Sequence, residues 1–110
     1  MPITDLAAVK CVFVLGFDNN KVFEYDLSTA WDSSSASYNN VSFDFSSQET
    51  SARGLCFDPT GTKMYLSGQV TDSVNQYGLS SAWDVSSASF TQSFSVTSQD
   101  TNPSGIFFTP

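Results

Sequence analysis

Apolar positions along this 110-residue chain come in short runs separated by polar turn residues, and the spacing within the runs predicts strands. Cys11 to Gly16 is a compact apolar run, and Asp18, Asn19 and Asn20 behind it tolerate left-handed backbone, so a strand and a turn are expected. Lys21 to Leu27 alternates, with Phe23, Tyr25 and Leu27 on one face and Val22, Glu24 and Asp26 on the other. That predicts a strand with one face more buried than the other. A polar connection leads to a further strand over Tyr38 to Phe45, which ends in polar Ser46 to Ser51. Arg53 to Pro59 is apolar at successive positions, as expected of an innermost strand covered on both faces. Asp58-Pro59-Thr60-Gly61 reads as a tight turn into a strand at Lys63 to Gly68. No window sustains the 3.6-residue period of a helix.

The pattern then starts again. LSTAWDSSSASY, from Leu27, returns as LSSAWDVSSASF from Leu79, and the two tryptophans lie 83 − 31 = 52 residues apart. VFEYDLS from Val22 overlays VNQYGLS from Val74; after a one-residue loss near Asn39 to Val41, FDFSSQETSARGLCFDP from Phe43 overlays FSVTSQDTNPSGIFFTP from Phe94. A period of this size marks stacked supersecondary units, with copies at about 12–59 and 64–110 making one unit of the whole chain, 1–110. Only Met1 to Val9 has no counterpart. Equivalence of the copies predicts matching burial and partners for Tyr25 and Tyr77, and for Phe43 and Phe94. The last stretch, Ser104 to Pro110, corresponds to the Arg53 strand and is expected to be an inner strand itself.

Composition narrows the function classes. Abundant Phe, Tyr, Val, Ser and Thr suit pleated strands, and 110 residues bury about 65% of their unfolded surface, enough for one modest core. The net charge is −7 with four basic residues, which disfavours nucleic acid and anionic membranes as partners, since both are bound by Lys and Arg clusters. The start, Met-Pro-Ile-Thr-Asp, lacks the form of an export signal, and no apolar run approaches the roughly 20 residues of a spanning helix. A soluble chain of unassigned compartment is expected. Histidine is absent, which removes the commonest general base and metal ligand. Cys11 and Cys56 face Lys63 and Phe107 in the repeat register, so they read as free thiols and not as a disulfide written into each unit. No enzyme activity, no cofactor and no metal site is expected.

The order GLCFDPTGTKMYLSG, VNQYGLS, SFTQSFSV resembles the four-stranded blades of β-propellers. FDPTGTKMYL is similar to the FSPDGTKLYV hairpin between the first two strands of many blades, and the LSTAWDSSSASY connection resembles repeats of bacterial and phage surface proteins. The resemblance implies an all-β fold with two four-stranded propeller blades per chain. A closed propeller has about four to eight blades, so it also implies completion by other copies or a fragment of a longer propeller. Labelling blade strands A to D from the axis outward, the chain reads B, C, D, A, B, C, D, A. Head-to-tail assembly would supply the missing inner strand of each first blade, and a cyclic homotrimer would form one six-bladed ring, with an eight-bladed tetramer as the alternative.

Candidate binding residues follow from the same register. Trp31 and Trp83 offer flat apolar faces to a sugar ring, or else fold onto their own blades, with Asp32 and Asp84 accepting turn N–H groups. Gln48 and Glu49 match Gln99 and Asp100, so each blade would present an amide beside a carboxylate, able to grip vicinal hydroxyls in a multivalent ring. Arg53 is a candidate local partner of Glu49. Two readings stand: an oligomeric binding module, with carbohydrate as the candidate ligand, and an assembly module whose role is the ring.

Overall fold

In the computed structural model residues 10–109 are described; the expectation about an export signal in Met1 to Val9, and Pro110, lie outside them. The fold is all-β. Among the described residues seven strands, β1 (Cys11–Gly16), β2 (Lys21–Leu27), β3 (Ala36–Asp44), β4 (Ala52–Phe57), β5 (Lys63–Gly68), β6 (Ser73–Leu79) and β7 (Ala88–Ser95), run in chain order. They form two antiparallel sheets, β1-β2-β3 and β4-β5-β6-β7. β1, β2 and β3 of the first sheet are the repeat counterparts of β5, β6 and β7 of the second, and β4 is the additional strand.

The copies agree in local detail because the same side chains cap the same turns. Asp32 and Asp84 each accept the N–H two residues on, from Ser34 and Ser86, and start a single 3-10 turn, Ser33–Ser35 or Val85–Ser87. Ahead of each cap the tryptophan is left-handed, Trp31 at φ 63° and Trp83 at φ 62°, a conformation that costs a bulky residue about 1–3 kcal/mol and persists only where its surroundings impose it. A register shift at Glu24/Tyr25 in the first sheet recurs at Gln76/Tyr77 in the second. At the sheet ends, Phe45 N–H donates to Asn20 O as Val96 N–H donates to Asp72 O.

The core lies between the sheets. Val22 and Phe45 of the first copy and Met64, Leu66, Tyr77 and Val85 of the second are all fully buried, each contributing about 1.5–3 kcal/mol by leaving water. Phe13 reaches Phe57 across the gap with ring centroids 4.7 Å apart, and Phe43 meets Tyr77 edge-on at 5.3 Å. This packing selects one face of β2: Val22 and Glu24 are the buried side chains, and Phe23 and Tyr25 on the opposite face are only half-buried. Alternation defines two faces but not which of them meets the second sheet.

Tertiary position also separates residues that the repeat makes equivalent. Tyr77 is fully buried whereas Tyr25 is half-buried, and Phe43 packs on Tyr77 whereas Phe94 is 71% exposed. The expected match in burial therefore fails within one chain, because each sheet is covered by the other on one face only: the Val22 face of β2 and the opposite, Tyr77 face of β6. β4 is likewise an edge strand with β5 as its neighbour, and Ser104 to Thr109 forms no ladder. That last segment nonetheless lies along the second sheet: the Ser104 and Gly105 backbone passes close to Gly54, and Phe108 stacks on Tyr65 at 4.5 Å.

Candidate functional site

The connection after β3 carries the first amide and carboxylate pair. It folds back so that Gln48 and Glu49 N–H groups both donate to Phe45 O, which turns the Glu49 side chain into the chain, where it is 1% exposed. Its oxygens accept four hydrogen bonds: Ser51 N–H at 2.8 Å and Val70 N–H at 3.1 Å on Oε2, Thr71 N–H at 3.1 Å and Thr71 Oγ1 at 2.6 Å on Oε1. Gly68 makes room, since a Cβ there would collide with the Glu49 carboxylate. Burial pushes the Glu49 carboxyl up, but these four bonds outweigh it and hold the pKa below the ordinary carboxylate range. Gln48 Oε1 accepts from the Tyr77 hydroxyl at 3.3 Å, and burial, then the Glu49 charge, pushes that phenol up. Arg53 does not supply any of these bonds; its guanidinium lies 4.3 Å over the Phe17 ring.

In the second copy the matching pair is open. Gln99 and Asp100 are exposed, and Asp100 Oδ1 accepts from Asn102 N–H at 2.7 Å, the counterpart of the Ser51 bond. The counterparts of Val70 and Thr71 are Asp18 and Asn19, in the β1–β2 turn of the first sheet.

The tryptophans also differ. Trp83 covers the β4–β5 turn: its backbone N–H donates to Gly61 O at 2.9 Å, and its indole lies against Gly61, Phe57 (5.4 Å between ring centroids) and Phe13 (6.4 Å). Gly61 sits at φ +74°, and a Cβ there would strike the indole. Trp31 is 64% exposed against 41% for Trp83. Gln48 and Glu49 thus stand together beside the β5–β6 turn, and Gln99, Asp100, Trp31 and Trp83 do not join them in one site.

A second cluster escaped the pattern of the chain. On the face of the first sheet that meets the second, Cys11, Glu24 and Asp26 bring donor atoms within 4.8 Å of one another. Asn39 Nδ2 donates to Glu24 Oε2 at 2.7 Å and to Asp26 Oδ1 at 3.1 Å. Burial, then the charges of Glu24 and Asp26, pushes the Cys11 thiol up. The signal that finds this cluster is disagreement between the copies: its counterparts are Lys63, Gln76 and Gly78.

The outward face of the second sheet carries an open cleft of about 310 Å³ lined by Tyr65, Val74, Gln76, Gln92, Phe94 and Phe108 among others. Val74, Gln76 and Phe94 are the counterparts of Val22, Glu24 and Phe43, the side chains of the first sheet that the second sheet covers. Among the described residues no helix is long and apolar enough to cross a membrane. Comparison with protein families, curated proteins and solved structures finds no match to this chain.

Proposed function

We propose that the chain is the protomer of a head-to-tail, non-enzymatic β-propeller, and that its role is carried by the assembled ring. One observation supports this above the others. Phe57 of β4 lies on Phe13 of the first sheet at 4.7 Å and 42°, and Phe108 lies on Tyr65 of the second sheet at 4.5 Å and 39°. Phe108 is the repeat counterpart of Phe57 and Tyr65 that of Phe13, so the last segment stands to the second sheet as β4 stands to the first. It has the position of an inner strand of a next blade, whose other three strands would be β1, β2 and β3 of another copy.

Each contact between the two sheets of one chain then has a counterpart between copies. Phe94 would meet Tyr25 of the next copy as Phe43 meets Tyr77, and Phe108 would lie under its Trp31 as Phe57 lies under Trp83. Asp100 would accept from the Asp18 and Asn19 amides of the next copy as Glu49 accepts from those of Val70 and Thr71. This reading assigns Gln48, Glu49, Gln99 and Asp100 to assembly and not to carbohydrate, because bonds within and between copies use the groups that a sugar would need. Two blades per chain lead to a six-bladed trimer. Fewer blades would crowd Phe57 and Phe107 near the axis, and eight would open a wider channel than apolar inner strands line well.

Multi-angle light scattering of the full chain tests the proposal. A mass of three times 11.9 kDa is expected, and four times would select the eight-bladed tetramer. A stable monomer at micromolar concentration overturns it and fits a piece of a longer propeller. Glycan binding lost in Gln99→Ala at unchanged mass would return these residues to a ligand site.

A further inference from the structure

Cys11, Glu24 and Asp26 come together from two strands because the β1–β2 register sets Cys11 opposite Asp26 and Phe13 opposite Glu24, placing all of them on the inward face. Cys11 Sγ is 3.9 Å from Asp26 Oδ1. Grouped carboxylates are ordinary at a surface; Glu24 is not at the surface. It is 8% exposed, and its Oε1 has no hydrogen-bond partner among the described residues. A buried carboxylate oxygen without a donor is expensive unless a cation or a proton reaches it. Asn39 cannot turn to serve it, because the amide already spans Glu24 Oε2 and Asp26 Oδ1 while its own Oδ1 accepts from Val41 N–H at 2.9 Å.

The fold does not require these residues. At the equivalent place in the second sheet, Lys63, Gln76 and Gly78 carry none of the three donors, and Gln76 Oε1 is satisfied by Gln92 Nε2 at 3.1 Å. Three departures from the repeat therefore fall on one spot, and each adds a metal-ligating group.

We propose that Cys11, Glu24 and Asp26 bind one divalent metal ion of borderline softness, zinc foremost, with water in the fourth position. A thiolate beside two carboxylates suits such an ion, whereas calcium takes six to eight oxygens. On a tetrahedral zinc, a sulfur at about 2.3 Å and an oxygen at about 2.1 Å lie about 3.6 Å apart. Donors now within 4.8 Å would draw in by about 1 Å, a movement open to the half-buried Cys11 and exposed Asp26 side chains. Those two also leave the approach path. On binding, the Cys11 S–H bond breaks, its proton passes to solvent and a sulfur–metal bond forms, with no change of oxidation state; affinity therefore rises with pH. Asn39 becomes an outer partner of the carboxylates. The ion would clip the start of β1 to the end of β2, independently of whether copies assemble.

The test is titration of Co²⁺, then Zn²⁺, into the reduced full-length chain. One Co²⁺ per chain with a near-ultraviolet thiolate-to-cobalt band is expected, displaced by Zn²⁺. Cys11→Ser should abolish the band and Cys56→Ser should leave it. Glu24→Gln and Asn39→Ala should each weaken binding at least roughly 10–100-fold, with folding followed by circular dichroism. If Cys11→Ser does not fold, Asp26→Asn at the exposed ligand carries the same expectation of weakened binding. Absence of the band, its survival in Cys11→Ser, its loss in Cys56→Ser, or unchanged affinity in Glu24→Gln would each overturn the site.

Discussion

Replacing Glu49 separates a structural clasp from a ligand contact. Glu49→Ala removes an acceptor of four hydrogen bonds, from Ser51, Val70 and both donors of Thr71, which at about 1.5–3 kcal/mol per bond to a charged group sets a ceiling above 6 kcal/mol. Val70 and Thr71 are exposed, so water replaces part of the loss at those three donors, and the net falls to about 0.5–1.5 kcal/mol per bond. The emptied space beside Gly68 adds about 0.8 kcal/mol per lost methylene. A destabilisation of about 3–5 kcal/mol is expected from the two together. Glu49→Gln keeps the volume but turns an NH₂ toward N–H donors, and should lose about 2–4 kcal/mol. Urea unfolding at several protein concentrations measures both variants. The same group sets an acid limit: its folded pKa lies below the ordinary range, so its contribution is present above the unfolded carboxylate pKa and fades as pH falls through the folded one. That component of acid sensitivity should vanish in Glu49→Gln. Both variants within about 0.5 kcal/mol of the parent, as for a surface change, with loss of ligand binding instead, would refute the clasp.

Gly61→Ala should cost about 1–3 kcal/mol from its left-handed φ alone, and more from displacing the indole above it; urea unfolding reads the cost, and Trp83 fluorescence should shift toward that of exposed indole. Phe94→Ala, at a side chain 71% exposed in one chain, should leave circular dichroism unchanged yet weaken association by about 2 kcal/mol, roughly 30-fold, measured by sedimentation; unchanged association would refute the Phe94–Tyr25 contact. Deleting residues 105–110 should abolish the defined oligomer, and a truncated chain of unchanged mass would count against the last segment as an inner strand.

The repeat alone revealed most of the secondary structure. Strand positions, the Asp58 to Gly61 turn and the paired Trp-Asp connections are local, set by alternation and by capping chemistry within one unit, and two copies of the pattern read the same way. The amide and carboxylate pairs were legible too, but not their use. A carboxylate in a polar loop reads as solvated until the fold lays the β5–β6 turn over it, and only then does Glu49 become a buried acceptor while Asp100, of the same register, stays open. The buried face of β2 was not legible either, because a period of two offers both faces and the second sheet selects the one with Val22 and Glu24. Cys11 and Asp26 are fifteen residues apart in the chain, with nothing between them that resembles a motif. Departure from the repeat marks these positions in the sequence, but only antiparallel pairing sets Cys11 opposite Asp26, and only burial against the second sheet leaves a Glu24 oxygen unpaired.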